Sequence, residues 1–238
     1  MRKWKDITLY QYQRVEEIKK SKDLSEEDKI LFIACILFNK TEYELDKTKP
    51  KKVLKMISLI DKIFTSQFDA KPKKRIGKYF INYEISKITF GQYIELSFFL
   101  QEKEIIQASH YVLSSLSNLF LRKNNSKDHR KKSNYFLSRS ITKVAGSLSL
   151  IIERFKSFND EYKTLFGISE EIKSELPKTD NVSKFNTRYG WIYSAEEIAK
   201  YEIISLEEAY AMPIRRALND LAYLKAKRNY EHELLKRK

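Results

Sequence analysis

Cysteine, glycine, proline and histidine are all scarce in this chain of 238 residues. The single cysteine, Cys35, excludes an intramolecular disulfide, and its setting in Leu31-Phe32-Ile33-Ala34-Cys35-Ile36-Leu37-Phe38 reads as a buried, inert thiol in a reducing compartment. Five glycines and four prolines leave little material for hairpin turns and none arranged as a phosphate loop. His110, His129 and His232 have no Cys, His or carboxylate at the spacing of a recognised metal motif. Nucleophile-elbow and Cys/His nucleophile signatures are missing, and nothing singles out two carboxylates for acid/base work. The expectation is therefore a protein that is not an enzyme and carries no metal or cofactor. No apolar run approaches the roughly 18 residues of a membrane span. Met1-Arg2-Lys3-Trp4-Lys5-Asp6 lacks the apolar core of a signal peptide, which predicts a soluble, unexported chain without a membrane partner.

What the chain does have is a globular composition, 42% hydrophobic and 13% aromatic, with Leu, Ile, Lys and Glu in long periodic runs. The fold class this predicts is mostly α: a multi-helix body, a small β-hairpin or ribbon inserted near residues 76–86, and a C-terminal helical docking module. A formal charge of +14 would attract nucleic acid, anionic lipid or an acidic protein, although lysines scattered along the whole chain give the same number without any groove. The candidate contacts to phosphates or an acidic surface are Lys73, Lys74, Arg75, Arg122, Lys123, Arg130, Lys131, Lys132, Lys236, Arg237 and Lys238. No helix-turn-helix, zinc finger or RNA-recognition motif is legible, so any DNA contact would be nonspecific. The nearby Tyr79, Phe80, Tyr83, Tyr135 and Phe136 read as core rather than stacking platforms.

Helix signals punctuate the N-terminal region, residues 1–67. Thr8 with Gln11 caps a helix to about Lys20, Ser25 opens one to about Asn39, Thr41 with Glu44 forms a capping box, and Pro50 starts a helix with Val53, Leu54, Ile57, Ile60, Ile63 and Phe64 on one face. A second region, 68–166, begins with Lys71-Pro72-Lys73-Lys74-Arg75 and an aromatic, β-branched stretch at 76–85 suited to strands. The Ile88-Thr89 stretch then echoes Ile7-Thr8 at a spacing of 81 residues, each copy placing a Thr before an amphipathic helix and each followed by a strongly apolar helix, here about 102–121. A degenerate duplication and independent use of the same cap both account for the echo. The polar, basic stretch 122–134 reads as an exposed loop, and 140–162 as a long amphipathic helix in which Gly146 allows close helix packing.

Residues 167–188, with Pro177, Asp180 and Asn181, have the composition of a linker. The C-terminal module, 189–238, holds three helices in series, with caps at Ser194 and Ser205 and with Pro213 opening the last, and it ends in a basic tail. Trp191, Ile214, Leu218, Leu221 and Leu224 are its candidate partner-docking residues.

Taken together, Trp4-Lys5-Asp6-Ile7-Thr8-Leu9-Tyr10-Gln11-Tyr12 and the block from Tyr189-Gly190-Trp191 to Leu218-Asn219-Asp220-Leu221-Ala222-Tyr223-Leu224-Lys225 resemble the small helical proteins of tailed-phage tail and neck assembly. These include tail-assembly-chaperone-like proteins and structural proteins of crAss-like phages. The resemblance covers the two ends better than the middle, where the strand-like insertion and the basic loop depart from a minimal chaperone. It implies a virion structural protein: a ring or connector subunit of the portal and tail region that contacts copies of itself and other virion proteins. It would be located in the virion, and in the host cytoplasm during assembly. The alternatives it implies are a cytoplasmic tail assembly chaperone absent from the mature particle and, from the charge, a nonspecific nucleic-acid-binding protein.

Overall fold

The computed structural model describes residues 3–66, 68, 70–101, 105–119, 129–166 and 180–236. The fold is mostly helical with one small antiparallel sheet of three strands. In chain order, a 3-10 turn at Trp4–Asp6 precedes α1 (Leu9–Lys20), α2 (Glu26–Phe38), α3 (Glu42–Asp46) and α4 (Pro50–Thr65). The strands β1 (Arg75–Ile76) and β2 (Tyr79–Ile81), a second 3-10 turn at Ile85–Lys87, α5 (Phe90–Gln101), α6 (Ile105–Ser115) and β3 (Ser117–Leu119) follow. The remainder is α7 (His129–Leu137), α8 (Ile141–Glu161), α9 (Lys163–Phe166), α10 (Asp180–Glu202), α11 (Leu206–Ala211) and α12 (Ile214–Lys236).

The chain divides into two compact units interleaved in sequence: Met1–Asn82 with Phe99–Ile151, and Tyr83–Phe98 with Ile152–Lys238. In the first unit the caps read from sequence form as hydrogen bonds. The hydroxyls of Thr8, Ser25 and Thr41 accept from the amides of Gln11, Asp28 and Glu44. Gln11 then bridges α1 to α2, its Nε2 donating at 2.9 Å to both the Ile36 carbonyl and Asn39 Oδ1, where Asn39 ends α2 in the left-handed conformation. Gln13, buried on the same helix, donates to the Ile106 carbonyl at 2.8 Å while Gln107 donates back to the Gln13 carbonyl at 3.0 Å, which ties α1 to α6. Trp4 packs edge-on against Phe64 and Phe68 and closes the α4 end of this core.

The hairpin β1–β2 pairs Ile76 with Tyr79 around a two-residue loop, and Gly77 takes φ +60 there. A side chain at Gly77 would also overlap the Tyr135 hydroxyl, which accepts from the Lys78 amide at 3.2 Å. Gly146 makes a second close approach: a Cβ there would overlap the Ala70 carbonyl, so α8 packs against an extended backbone segment rather than another helix.

Both units contain the same local staple. In the first, the Leu9 amide donates to the Arg139 carbonyl at 2.8 Å and the Ile141 amide to the Ile7 carbonyl at 2.9 Å, so that Thr8 and Ser140 form an isolated antiparallel bridge. In the second, the Phe90 amide donates to the Met212 carbonyl at 2.8 Å and the Ile214 amide to the Ile88 carbonyl at 3.0 Å, bridging Thr89 to Pro213. Each staple follows a 3-10 turn, and each Thr exchanges capping bonds with a Gln three residues on, at 3.1 and 3.2 Å in both copies. The short Ile-Thr echo thus extends to a shared backbone arrangement that joins one helix start to another.

In the second unit Tyr93 sits at the centre of an aromatic core of Phe155, Phe158 and Trp191, and its hydroxyl donates to Asn159 Oδ1 at 2.7 Å. Burial holds this phenol protonated well above the ordinary tyrosine range.

Four sequence expectations change. The helix drawn to about residue 121 stops at Ser115, because Ser115 and Ser117 hydroxyls bond back to the Tyr111 and Ser114 carbonyls and the chain then pairs with β2 as β3. The loop drawn over 122–134 is helical from His129 onward, since Phe136 must reach Tyr79; residues 122–128 lie outside the described residues. The linker drawn over 167–188 gives way at Asp180 to α10, which runs unbroken through Ser194. The Ser194 hydroxyl donates to the Gly190 carbonyl at 2.8 Å inside the helix instead of capping it. Residues 167–179 are outside the described residues.

Candidate functional site

Within the second unit, α9, α10 and α12 line an open groove of about 600 Å³. Trp191 and Ser194 approach from α10 and Leu221 and Leu224 from α12. Beneath them Ile214 and Leu218 are fully buried. Trp191 is held in place by edge-on contacts with Phe90 and Tyr93.

Polar groups frame this apolar floor. Arg228 donates to Glu197 across the groove and lies over the Tyr193 ring, and Lys225 donates to the Leu165 carbonyl at 2.9 Å. Glu197 is thus the α10 side of an ion pair with α12. Such a surface can hold an apolar side chain or a short chain segment between charged edges.

Of the five docking residues expected from sequence, Trp191, Leu221 and Leu224 line the groove. Ile214 and Leu218 do not reach a partner: they are sealed in the unit's own core, because an apolar face that serves folding looks the same in sequence as one left open for binding.

The basic residues separate in a similar way. Lys73, Lys74 and Arg75 are exposed before and within β1, Arg130 and Lys131 are exposed at the start of α7, and Lys236 is exposed at the end of α12. Lys132 is not a surface contact. It is 6% exposed, and its ammonium donates to the Ser117 carbonyl at 3.1 Å, fastening α7 under β3. Arg122, Lys123, Arg237 and Lys238 lie outside the described residues. One cationic cluster went unread in the sequence: Lys78 and Arg139 both lie over the Tyr135 ring, at 5.2 and 4.0 Å.

His110 is pushed toward its neutral form by burial and meets Gln13 at 3.2 Å. The Cys35 thiol is raised first by burial and then by Glu42 and Asp46, which disfavours the reactive thiolate. Among the described residues no group of three or more His, Cys, Asp and Glu could hold a metal ion, and no helix is long and apolar enough to cross a membrane. Compared with family models, with curated proteins and with solved structures, the chain matches none.

Proposed function

We propose that this protein is a structural subunit of a tailed-phage virion, a ring or connector component of the portal and tail region that works through contacts with copies of itself and with other virion proteins. The observation that carries this reading is the far end of α12. From Ala226 to Lys236 every residue is exposed, although the segment carries Tyr230, Leu234 and Leu235. Arg228 anchors its first turn to Glu197, and beyond it a helical segment with exposed apolar side chains is marginal by itself in water and gains stability from a surface to lie against. The resemblance of the two ends of the chain to tail and neck assembly proteins supplies the setting, and the groove between α10 and α12 supplies a second contact surface.

Mass spectrometry of purified particles tests the proposal. Stoichiometric presence of the chain in mature virions is the expected result. Its presence in infected cells but not in mature particles would replace this reading with that of an assembly chaperone. Binding to DNA fragments that weakens steeply with salt and shows no sequence preference, with no virion association, would favour the nucleic-acid reading.

A further inference from the structure

The charge of this protein is inverted locally in its first region. Between residues 23 and 46 the sequence holds seven acids against two lysines, in a chain whose net charge is +14. These residues form α2 and α3, and between the two helices lies a shallow cleft of about 80 Å³. Leu31, Phe32 and Leu45 provide its apolar lining, and Asp28, Glu42 and Asp46 its rim. Leu31 is 39% exposed, so the apolar lining of the cleft reaches the surface. At this volume the cleft admits a side chain rather than a small-molecule ligand, whose pockets run about 300–1,000 Å³.

The end of α12 is its counterpart in both respects. Between residues 225 and 238 there are six cations against two acids. Tyr230 and Leu234, one turn apart on the same helix face, are 63% and 43% exposed, and Leu235 is 71% exposed. The two surfaces are complementary: exposed apolar side chains in a segment whose sequence is rich in cations, and an apolar recess bordered by carboxylates.

Resting on the reading of this chain as a self-associating structural subunit, we infer that the α12 end of one copy docks into the α2–α3 cleft of a second copy. Leu234 and Leu235 approach Leu31, Phe32 and Leu45, and the adjacent Lys236 faces Glu42 and Asp46. The two surfaces are different parts of the same molecule, so the contact is heterologous: each subunit keeps one free end and one free cleft, and copies add head to tail until a ring closes or a filament grows. Because much of the attraction is between exposed charges, association weakens as salt screens it.

The test is sedimentation velocity on the purified full chain, with circular dichroism to confirm that every variant keeps its helical content. Wild type is expected to form concentration-dependent oligomers that dissociate as salt rises. The tail variant Leu234→Asp with Leu235→Asp, and the cleft variant Glu42→Lys with Asp46→Lys, change exposed positions and should each be folded monomers. Mixed together, they leave one intact cleft and one intact tail, and should give a heterodimer and nothing larger. Wild type that stays monomeric overturns the inference, as do variants that oligomerise like wild type, or a mixture of monomeric variants that fails to pair. A monomer in solution alongside stoichiometric presence in particles would remove this contact and leave the virion assignment standing. Head-to-tail oligomers from a chain absent from particles would do the reverse.

Discussion

Asp220 on α12 and Glu202 at the end of α10 meet carboxyl to carboxyl, with one Asp220 oxygen buried and without a hydrogen-bond partner. Burial raises the Asp220 pKa, the Glu202 charge and their shared hydrogen bond raise it further, and Arg216, which pairs with Glu202, offsets part of the effect. A carboxyl raised in the folded state favours folding when protonated. Its contribution is fully present below the unfolded-state pKa and is lost as pH rises through the folded one.

Asp220→Asn should therefore raise the melting temperature at neutral pH and lose that advantage as the solution is acidified below pH 4, near the ordinary aspartate value of 3.8. The neutral-pH gain should stay below about 1 kcal/mol, because the residue is only partly buried and water screens it. Thermal melts of both proteins across pH check this; a variant less stable than wild type at pH 7 would contradict it.

Leu218 and Leu221 sit one turn apart on α12 but face different surroundings. Leu218 is fully buried, so Leu218→Asp should cost more than about 3 kcal/mol and unfold the second unit. Leu221 lines the open groove, so Leu221→Asp should cost about 1–2 kcal/mol and leave the unit folded. Chemical denaturation followed by circular dichroism separates the two outcomes.

Gly146 and Gly190 are both helical, and alanine should act on them with opposite sign. At Gly146 the added methyl meets the Ala70 and Lys71 backbone, which gives a loss of about 1–3 kcal/mol. At Gly190 nothing lies within 4 Å, so the better helix propensity of alanine should gain about 0.5–1 kcal/mol. Urea midpoints of the two variants read the signs directly.

Thr8 and Thr89 occupy equivalent places in the two staples. Thr8→Ala and Thr89→Ala should each cost about 1 kcal/mol through the lost cap. The losses should fall in different units, so they should add in the double variant. Hydrogen exchange at the amides of Gln11 and Gln92, which lose their hydroxyl acceptors, locates each effect.

The parts of this structure that were legible in sequence are those governed by neighbours along the chain. Thr8, Ser25, Thr41 and Ser205 cap helices because a hydroxyl and an amide three residues on need nothing else nearby. The Pro50 helix and the hairpin at Gly77 are local in the same way. Ser117-Asn118-Leu119 becomes a strand only because β2 lies beside it, and no alternation in three residues announces that. Ser194 carries the same signature as Ser205, yet α10 passes straight through it: Ala195 and Ile198 are already packed on the apolar side of a helix that began at Asp180. The groove was half legible, since Trp191, Leu221 and Leu224 stand out as apolar, whereas its Glu197–Arg228 edge depends on two helices meeting. Lys132 was not legible at all, because a lysine inside a basic run reads as solvated until the fold covers it.

The interleaving of the two units has a consequence during synthesis. Tyr93 leaves the ribosome with α5, but its partners Phe155, Phe158 and Trp191 are encoded 62 to 98 residues later. At about 5–20 residues per second, α5 waits about 5–20 s for the last of them. Through that interval a strongly apolar helix with Phe90, Tyr93 and Leu96 stands without its core, so slowed translation between residues 100 and 190 should lower the yield of native protein by prolonging the exposure of one helix.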